Sequence, residues 1–163
     1  MKKASLFATA LVSMFAFNFG TKAMEVSSLE ELRGCLSKDG SCTLTENIVI
    51  TTNDILSGKA FNAKGNPINS MLNVDGTKVV LDLNGYSIST TGFVNIGIIN
   101  IDNSGELTIN DSKGKGVITT GDSDTYAAVT IWRKSKLTVN GGTIEGKYYG
   151  ISGNGSTGVG DTT

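Results

Sequence analysis

A three-strand pattern recurs along this chain, and the recurrence limits the possible folds more than any other feature of the sequence. The middle strand of each unit begins at Leu81, Leu107 or Leu137, so successive units lie 26 and 30 residues apart. Matching strands come before it at Leu72-Asn73-Val74, Ile99-Asn100-Ile101 and Val129-Thr130-Ile131, and after it at Ser87-Ile88-Ser89, Val117-Ile118-Thr119 and Thr143-Ile144-Glu145. Apolar and polar residues alternate within each strand, as they do when one face is buried. Such units indicate successive turns of a solenoid rather than a set of hairpins.

Stacking of these units predicts columns of like residues about 4.8 Å apart. The aliphatic columns are predicted to be Leu81, Leu107 and Leu137; Leu83, Ile109 and Val139; and Ile88, Ile118 and Ile144. The aligned Asn84, Asn110 and Asn140 follow the middle strand, where the chain must turn. Because Asn tolerates the left-handed conformation and stacked amides can hydrogen-bond to one another, these residues are predicted to form a structural ladder rather than a catalytic set.

Residues 1–23 predict a secretory signal peptide of the bacterial type. Lys2 and Lys3 supply a positive segment, Ala4 to Phe19 an apolar one, and Thr21-Lys22-Ala23 a cleavage site with small residues. The apolar segment is shorter than the ~20 residues of a membrane span. The protein is therefore expected to be exported to the periplasm, the cell surface or the medium, with no membrane insertion after cleavage.

Charge limits the partners of the mature chain. The whole chain has 14 basic and 15 acidic residues, so the loss of three lysines with the signal peptide leaves 11 against 15, a net charge near −4. That balance argues against binding to nucleic acid or another polyanion.

Residues 24–42 are predicted to form an N-terminal capping helix. Ser27 or Ser28 would be the N-cap before Leu29, and solenoids need such caps because an open end exposes core and strand edges. Export would place Cys35 and Cys42 where disulfides persist, so a bridge is predicted, with two free buried thiols as the alternative. No metal site is predicted, since the chain has no His and no further Cys.

Residues 43–156 are assigned to the solenoid, with about four to five coils, and residues 157–163 to a flexible tail. The Gly-rich sequence that follows Ser152 contains no recognisable cap. An uncapped end predicts that the solenoid is truncated; a complete small domain with a disordered tail is the alternative.

The segments Val79 to Tyr86, Leu107 to Asp111, Leu137 to Ile144 and Tyr149-Gly150-Ile151 resemble the coils of right-handed parallel β-helix proteins of the pectate-lyase-like superfamily. Among these proteins the chain is most similar to bacterial secreted or surface adhesin-like ones. The resemblance implies an all-β, right-handed parallel β-helix with three short strands per coil. Export, the polar outer face of Ser, Thr and Asn, and the absence of a convergent set of acid, base and nucleophile predict non-catalytic binding of an extracellular carbohydrate or of a host or cell-surface protein.

Enzymes of that superfamily suggest the alternative function, a polysaccharide lyase or glycoside hydrolase, or a fragment of one. The lyases use acidic residues to hold calcium and an Arg or Lys as base, and the hydrolases use clustered Asp. In this chain Asp82 has no carboxylate partner in its predicted column, and neither has Glu145, whose counterparts are Ser89 and Thr119. Asp102, Asp111, Asp122 and Asp124 fall in turns, where Asp is common. No catalytic residue and no cofactor is therefore predicted.

Four aromatic residues near the last coils are the candidate binding residues. They are Tyr126, Trp132, Tyr148 and Tyr149. Planar rings with polar tips are common on surfaces that bind sugars and proteins, whereas packing in the core or in turns is the alternative.

We expect the exported product to begin at Met24 or close to it, because cleavage after Ala23 fits the small-residue rule. The intact mass of protein recovered from the periplasm or medium measures this, and retention of residues 1–23 would contradict it.

Overall fold

The computed structural model describes residues 22–56, 70–92 and 97–153. Residues 1–21 of the predicted signal peptide and the whole predicted tail, 157–163, lie outside these ranges.

Short strands dominate the described residues, as the alternating pattern predicts. The elements are β1 (Met24–Val26), α1 (Leu29–Leu36), β2 (Gly40–Leu44), β3 (Ile48–Ile50), α2 (Thr52–Leu56), β4 (Ser70–Asp75), β5 (Lys78–Asp82), β6 (Ser87–Thr90), β7 (Gly97–Asp102), β8 (Glu106–Asn110), β9 (Val117–Thr119), β10 (Ala127–Ile131), β11 (Lys136–Val139), β12 (Thr143–Glu145) and β13 (Tyr149–Gly153).

The strands form three parallel sheets, and each repeat contributes one strand to each sheet. Sheet 1 has the order β1-β2-β5-β8-β11, sheet 2 the order β3-β6-β9-β12, and sheet 3 the order β4-β7-β10-β13. From β2 onward, consecutive strands belong to different sheets, so every pairing among them joins strands one repeat apart, whereas β1 pairs directly with β2. The predicted mostly-β architecture with parallel stacking is confirmed, and it is consistent with a parallel β-helix.

Aliphatic columns from the three sheets form one core. Ile88 lies over Ile118, which lies over Ile144, as predicted. Leu72, Ile99 and Val129 form the equivalent column in sheet 3, and all three are fully buried. Each inward residue therefore packs on its own counterpart in the next coil.

In sheet 1 the predicted alignment is wrong by two residues at β5. Leu107 lies opposite Val79 rather than Leu81, and Leu81 lies opposite Ile109, whereas β8 and β11 pair as predicted. The cause is the length of the turn from sheet 1 to sheet 2, which runs from 83 to 86 after β5 and from 111 to 116 after β8. Because side chains alternate with a period of two, a two-residue slip keeps every apolar residue inward and leaves no trace in the polarity pattern.

Segment 24–42 contains more than the predicted helix. Helix α1 begins after Ser28, whose Oγ accepts a hydrogen bond from the backbone N–H of Glu31 at 3.3 Å. It buries Leu32 and Leu36 completely and contacts β1 to β4, the first strands of the three sheets. Before the helix, β1 adds an edge strand to sheet 1, and β2 begins at Gly40 instead of at Thr43.

The opposite end of the three sheets is less covered. Val139 continues the column of Leu81 and Ile109 but is 42% exposed, and Ile151 continues the column of Ile99 and Val129 but is 43% exposed. The core columns are thus covered at the α1 end and partly open at the β11 to β13 end.

We expect Ile109→Asp to unfold the described domain, because an unpaired carboxylate in an aliphatic column costs several kcal/mol against a total stability of about 5–15 kcal/mol. Thr108→Asp is the matched control, one residue away in the same strand and partly exposed, with an expected change within about 1 kcal/mol. Thermal and urea unfolding measure both, and equal effects would show that the inward and outward faces are assigned wrongly.

Candidate aromatic binding site

Three of the four candidate aromatic residues meet at one corner of the last coils. Tyr126 directly precedes β10, while Tyr148 precedes and Tyr149 begins β13. Since Ala127 and Tyr149 are register partners, the parallel pairing of β10 and β13 brings Tyr126 beside the other two tyrosines. Trp132 follows the opposite end of β10, six residues further along, or about 20 Å at the rise of a strand. The structure therefore separates Trp132 from the tyrosines.

Tyr126 and Tyr149 form an aromatic pair at the surface. Their ring centroids are 4.9 Å apart and the ring planes are tilted by 50°. Centroid distances of this size are favourable for aromatic pairs. Tyr126 is 44% exposed and Tyr149 is 50% exposed, so the two contacting rings still offer surface to a ligand.

A small polar network lies beside this pair. The Lys147 ammonium donates to Asp124 Oδ1 at 2.7 Å and to the carbonyl oxygen of Asp122 at 3.3 Å. The Tyr148 hydroxyl donates to the same Asp124 oxygen at 3.2 Å, and Lys147 Nζ lies 5.8 Å from the centroid of the Tyr148 ring. We call Tyr126, Tyr148, Tyr149, Lys147 and Asp124 the aromatic corner.

The network holds its charged groups in their ionised forms. The hydrogen bond from Lys147, followed by that from Tyr148, lowers the pKa of Asp124. The same bond to Asp124 raises the pKa of Lys147. At neutral pH the pair is therefore a carboxylate and an ammonium in contact.

Tight turns place the aromatic corner. A Cβ at Gly146 would overlap the carbonyl oxygen of Tyr149, so the turn from sheet 2 to sheet 3 requires a glycine there. The backbone N–H of Lys147 donates to Thr120 Oγ1 at 2.8 Å, which fixes this turn to the coil below. In that coil the buried Thr125 precedes Tyr126, and Ser123 Oγ donates to the carbonyl oxygen of Gly92 at 2.8 Å.

Two carboxylates considered for catalysis serve as turn acceptors instead. Asp82 Oδ1 accepts from the backbone N–H groups of Asn84 at 2.8 Å and Ser112 at 2.9 Å. Asp111 accepts from Gly85 on Oδ1 at 2.8 Å and from Gly116 on Oδ2 at 2.7 Å. Desolvation acts to raise the pKa of Asp111, but these backbone hydrogen bonds outweigh it, so the pKa lies below its usual value.

A third turn carboxylate is paired with an arginine. The Arg133 guanidinium donates to both oxygens of Asp102, from Nε at 2.7 Å and from Nη2. Burial acts to raise the pKa of Asp102, yet the bonds from Arg133 and from the backbone of Asn103 lower it overall. The pair ties the corner between sheets 3 and 1 in one coil to the same corner in the next.

Of the three Asn residues in the predicted ladder, two are hydrogen-bonded to each other. Asn140 Nδ2 donates to Asn110 Oδ1 at 2.9 Å, but the residue opposite Asn110 in β5 is Asp82. Asn84 lies two residues further on, in the turn, with a left-handed φ of 49° and its side-chain amide donating to the carbonyl oxygen of Leu44 at 3.0 Å. The two-residue slip of β5 explains the difference.

A second polar ladder lies in sheet 3 and was missed by the sequence reasoning. Asn100 Nδ2 donates to Asn73 Oδ1 at 3.4 Å, and Thr130 Oγ1 donates to Asn100 Oδ1 at 2.9 Å. The sequence contains the information needed to predict this ladder, because the first strand of each repeat has a polar residue at the same position.

Cys35 and Cys42 are joined by a disulfide, with their Cα atoms 6.3 Å apart. That distance lies within the range that a disulfide spans. The bridge links the last turn of α1 to β2.

Within residues 22–56, 70–92 and 97–153, no group of three or more His, Cys, Asp or Glu side chains is placed to hold a metal ion. None of the helices in these ranges has the length and apolar character to cross a membrane. No protein-family model matches the chain, and neither a curated protein nor a solved structure gives a match.

We expect Asp111→Asn to destabilise the fold by about 1–3 kcal/mol at pH 7. Each carboxylate oxygen of Asp111 accepts a hydrogen bond from one backbone N–H group. Asn keeps one oxygen and has an NH2 group in place of the other, so one backbone N–H group loses its acceptor. The folded pKa is lowered, so the stabilisation is complete above the unfolded value near 4 and is lost as the pH falls through the lower folded value. The variant should therefore lose less stability than the parent between pH 5 and pH 2.

Urea unfolding across that pH range measures the effect. Asp122→Asn is the matched control, since its side chain is exposed in a turn and such changes usually stay within about 0.5 kcal/mol. An unchanged acid dependence in Asp111→Asn would contradict the role given to Asp111.

Proposed function

We propose that this chain is an exported, adhesin-like, right-handed parallel β-helix protein that binds an extracellular carbohydrate at the aromatic corner without catalysing a reaction. One observation carries the proposal: Tyr126 and Tyr149 form a tilted pair at 4.9 Å, and each ring is about half exposed. Large aromatic side chains are more often buried than exposed, so an exposed pair of contacting rings is suited to binding.

The chemistry of the corner suits a sugar. A pyranose ring has a face of C–H bonds that packs on an aromatic ring and an edge of hydroxyl groups that need hydrogen-bond partners. Tyr126 and Tyr149 offer the apolar platform, while Asp124 and the Tyr148 hydroxyl offer polar atoms beside it. Convergence of an apolar surface with a few fixed polar groups is typical of small-ligand sites.

The scaffold supports binding because it holds these side chains still. The corner stands on β10 and β13, which pair along their length, and on turns fixed by Gly146 and Thr120. Side chains ordered before the ligand arrives lose less conformational entropy on binding. A right-handed winding is the form that nearly all parallel strand connections take, and α1 would close the N-terminal end of the helix.

The positions of the carboxylates favour binding over catalysis. Inverting and retaining glycosidases need two carboxyl groups that reach the same bond. Asp82 and Asp111 instead accept backbone hydrogen bonds, and Asp102 is held by Arg133. A protein ligand at the same tyrosines is the competing partner, and the experiment below distinguishes it.

We expect Tyr126→Ala and Tyr149→Ala each to weaken glycan binding at least tenfold, which corresponds to about 1.4 kcal/mol. The measurement is retention on a panel of plant, bacterial and host glycans, followed by titration calorimetry on those that bind. Val49→Ala, an exposed apolar residue on sheet 2, and Trp132→Ala, at the other end of β10, are the controls that should keep the parental affinity.

Three outcomes would overturn the proposal. Saturable binding to cell-surface protein but to no glycan would replace the carbohydrate by a protein partner. New reducing ends or unsaturated products on pectin or alginate, with or without calcium, would make the chain an enzyme. Equal loss in Trp132→Ala and Tyr149→Ala would remove the aromatic corner as the site.

A further inference from the structure

We infer that the aromatic corner selects uncharged pyranose units and discriminates against uronates and other anionic sugars. The inference rests on the proposed function and adds the substrate class, which the charges around the tyrosines determine. It depends on which of those charges remain available to a ligand.

The ammonium at the corner is already engaged. Lys147 Nζ lies 2.7 Å from Asp124 Oδ1 and 3.3 Å from the Asp122 carbonyl oxygen. The Tyr148 hydroxyl also donates to Asp124 rather than pointing its proton at an incoming group. An anionic sugar would have to compete with Asp124 for the donors that it needs.

The carboxylates near the corner outnumber that ammonium. Asp122 and Asp124 lie in the turn before Tyr126, and Lys147 contacts both residues. These two acids and one Lys give a local net charge of −1. A ligand carboxylate or sulfate placed here would meet net repulsion, and charges within several ångströms interact appreciably even in water.

A neutral sugar meets no such barrier. Ionised carboxylates accept about four hydrogen bonds, and the two to Asp124 from Lys147 and Tyr148 both use Oδ1. Hydroxyl groups of a neutral pyranose can donate to this carboxylate while the ring packs on Tyr126 and Tyr149. Hydrogen bonds to charged acceptors are stronger than those between neutral groups, so the same carboxylate that repels anions favours hydroxyl donors.

Ligand pairs with the same linkages, one member neutral and the other with a carboxylate at C6, provide the direct test. The probes are galacturonate hexamers and their methyl esters, and cellohexaose and the glucuronate hexamer of the same linkage. In each pair we expect the neutral member to bind at least tenfold more tightly in 20 mM salt. The ratio should shrink at 300 mM salt, because exposed charges are screened over a shorter distance.

Removal of one charge tests the cause. Asp122→Asn leaves the tyrosines, Lys147 and Asp124 in place and should reduce the neutral-to-acid ratio about two- to fourfold, as expected for one exposed charge at close range. Glu46→Gln is the matched control, since it removes one exposed carboxylate in the turn between β2 and β3 and should leave the ratio unchanged. Circular dichroism and melting temperature verify that both variants are folded.

The outcomes separate the inference from the proposed function. Equal or tighter binding of the acidic members, abolished in Tyr149→Ala, would overturn the inference while leaving carbohydrate binding intact. An unchanged ratio in Asp122→Asn, or the same reduction in Glu46→Gln, would overturn the charge explanation. No binding of any member by the folded parent would overturn both proposals.

Discussion

Parallel hydrogen bonding between one coil and the next is the interaction on which the rest of this molecule depends. In each of the three sheets a residue pairs with its counterpart one repeat away, so a contact is decided by register instead of by closeness in sequence. The buried column of Ile88 and Ile118 and the hydrogen bond between Asn110 and Asn140 follow from it. The meeting of Tyr126 with Tyr149 follows from it as well. Loss of register would therefore disrupt core, polar ladders and candidate site together.

The turns must compensate for the regularity of the strands. Repeats of unequal length reach the same three sheets because the connections absorb the difference, as between Asp82 and Ser87 and between Asn110 and Val117. Backbone donors freed in those turns need acceptors, and Asp82 and Asp111 supply them. Left-handed conformations at Asn84 and Gly85 let the chain reverse direction sharply there. Much of the polar chemistry of the chain is used in this way to close coils.

The architecture could be predicted from the sequence, but the candidate binding site could not. Alternation and recurrence predicted parallel stacking because both derive from burial, which every coil repeats. The register of β5 was not predictable in this way, since Val79 and Leu81 fit the inward position equally well. The site depends on register: Tyr149 lies 23 residues from Tyr126 along the chain and touches it, whereas Trp132 lies only six residues away and is separated by a strand.

The partly uncovered columns at Val139 and Ile151 imply that local stability is unequal along the axis of the stack. Coils packed on both sides open only with the whole domain, whereas a coil packed on one side can fray at a smaller free-energy cost. Amide protons should therefore exchange with solvent faster in β13 than in β7, and the rate should decline toward α1. Since Tyr148 and Tyr149 belong to the coil that contains Ile151, a ligand held there would also slow the local opening of that coil. Binding at the aromatic corner would then lower the exchange rates of backbone amides that the ligand does not contact.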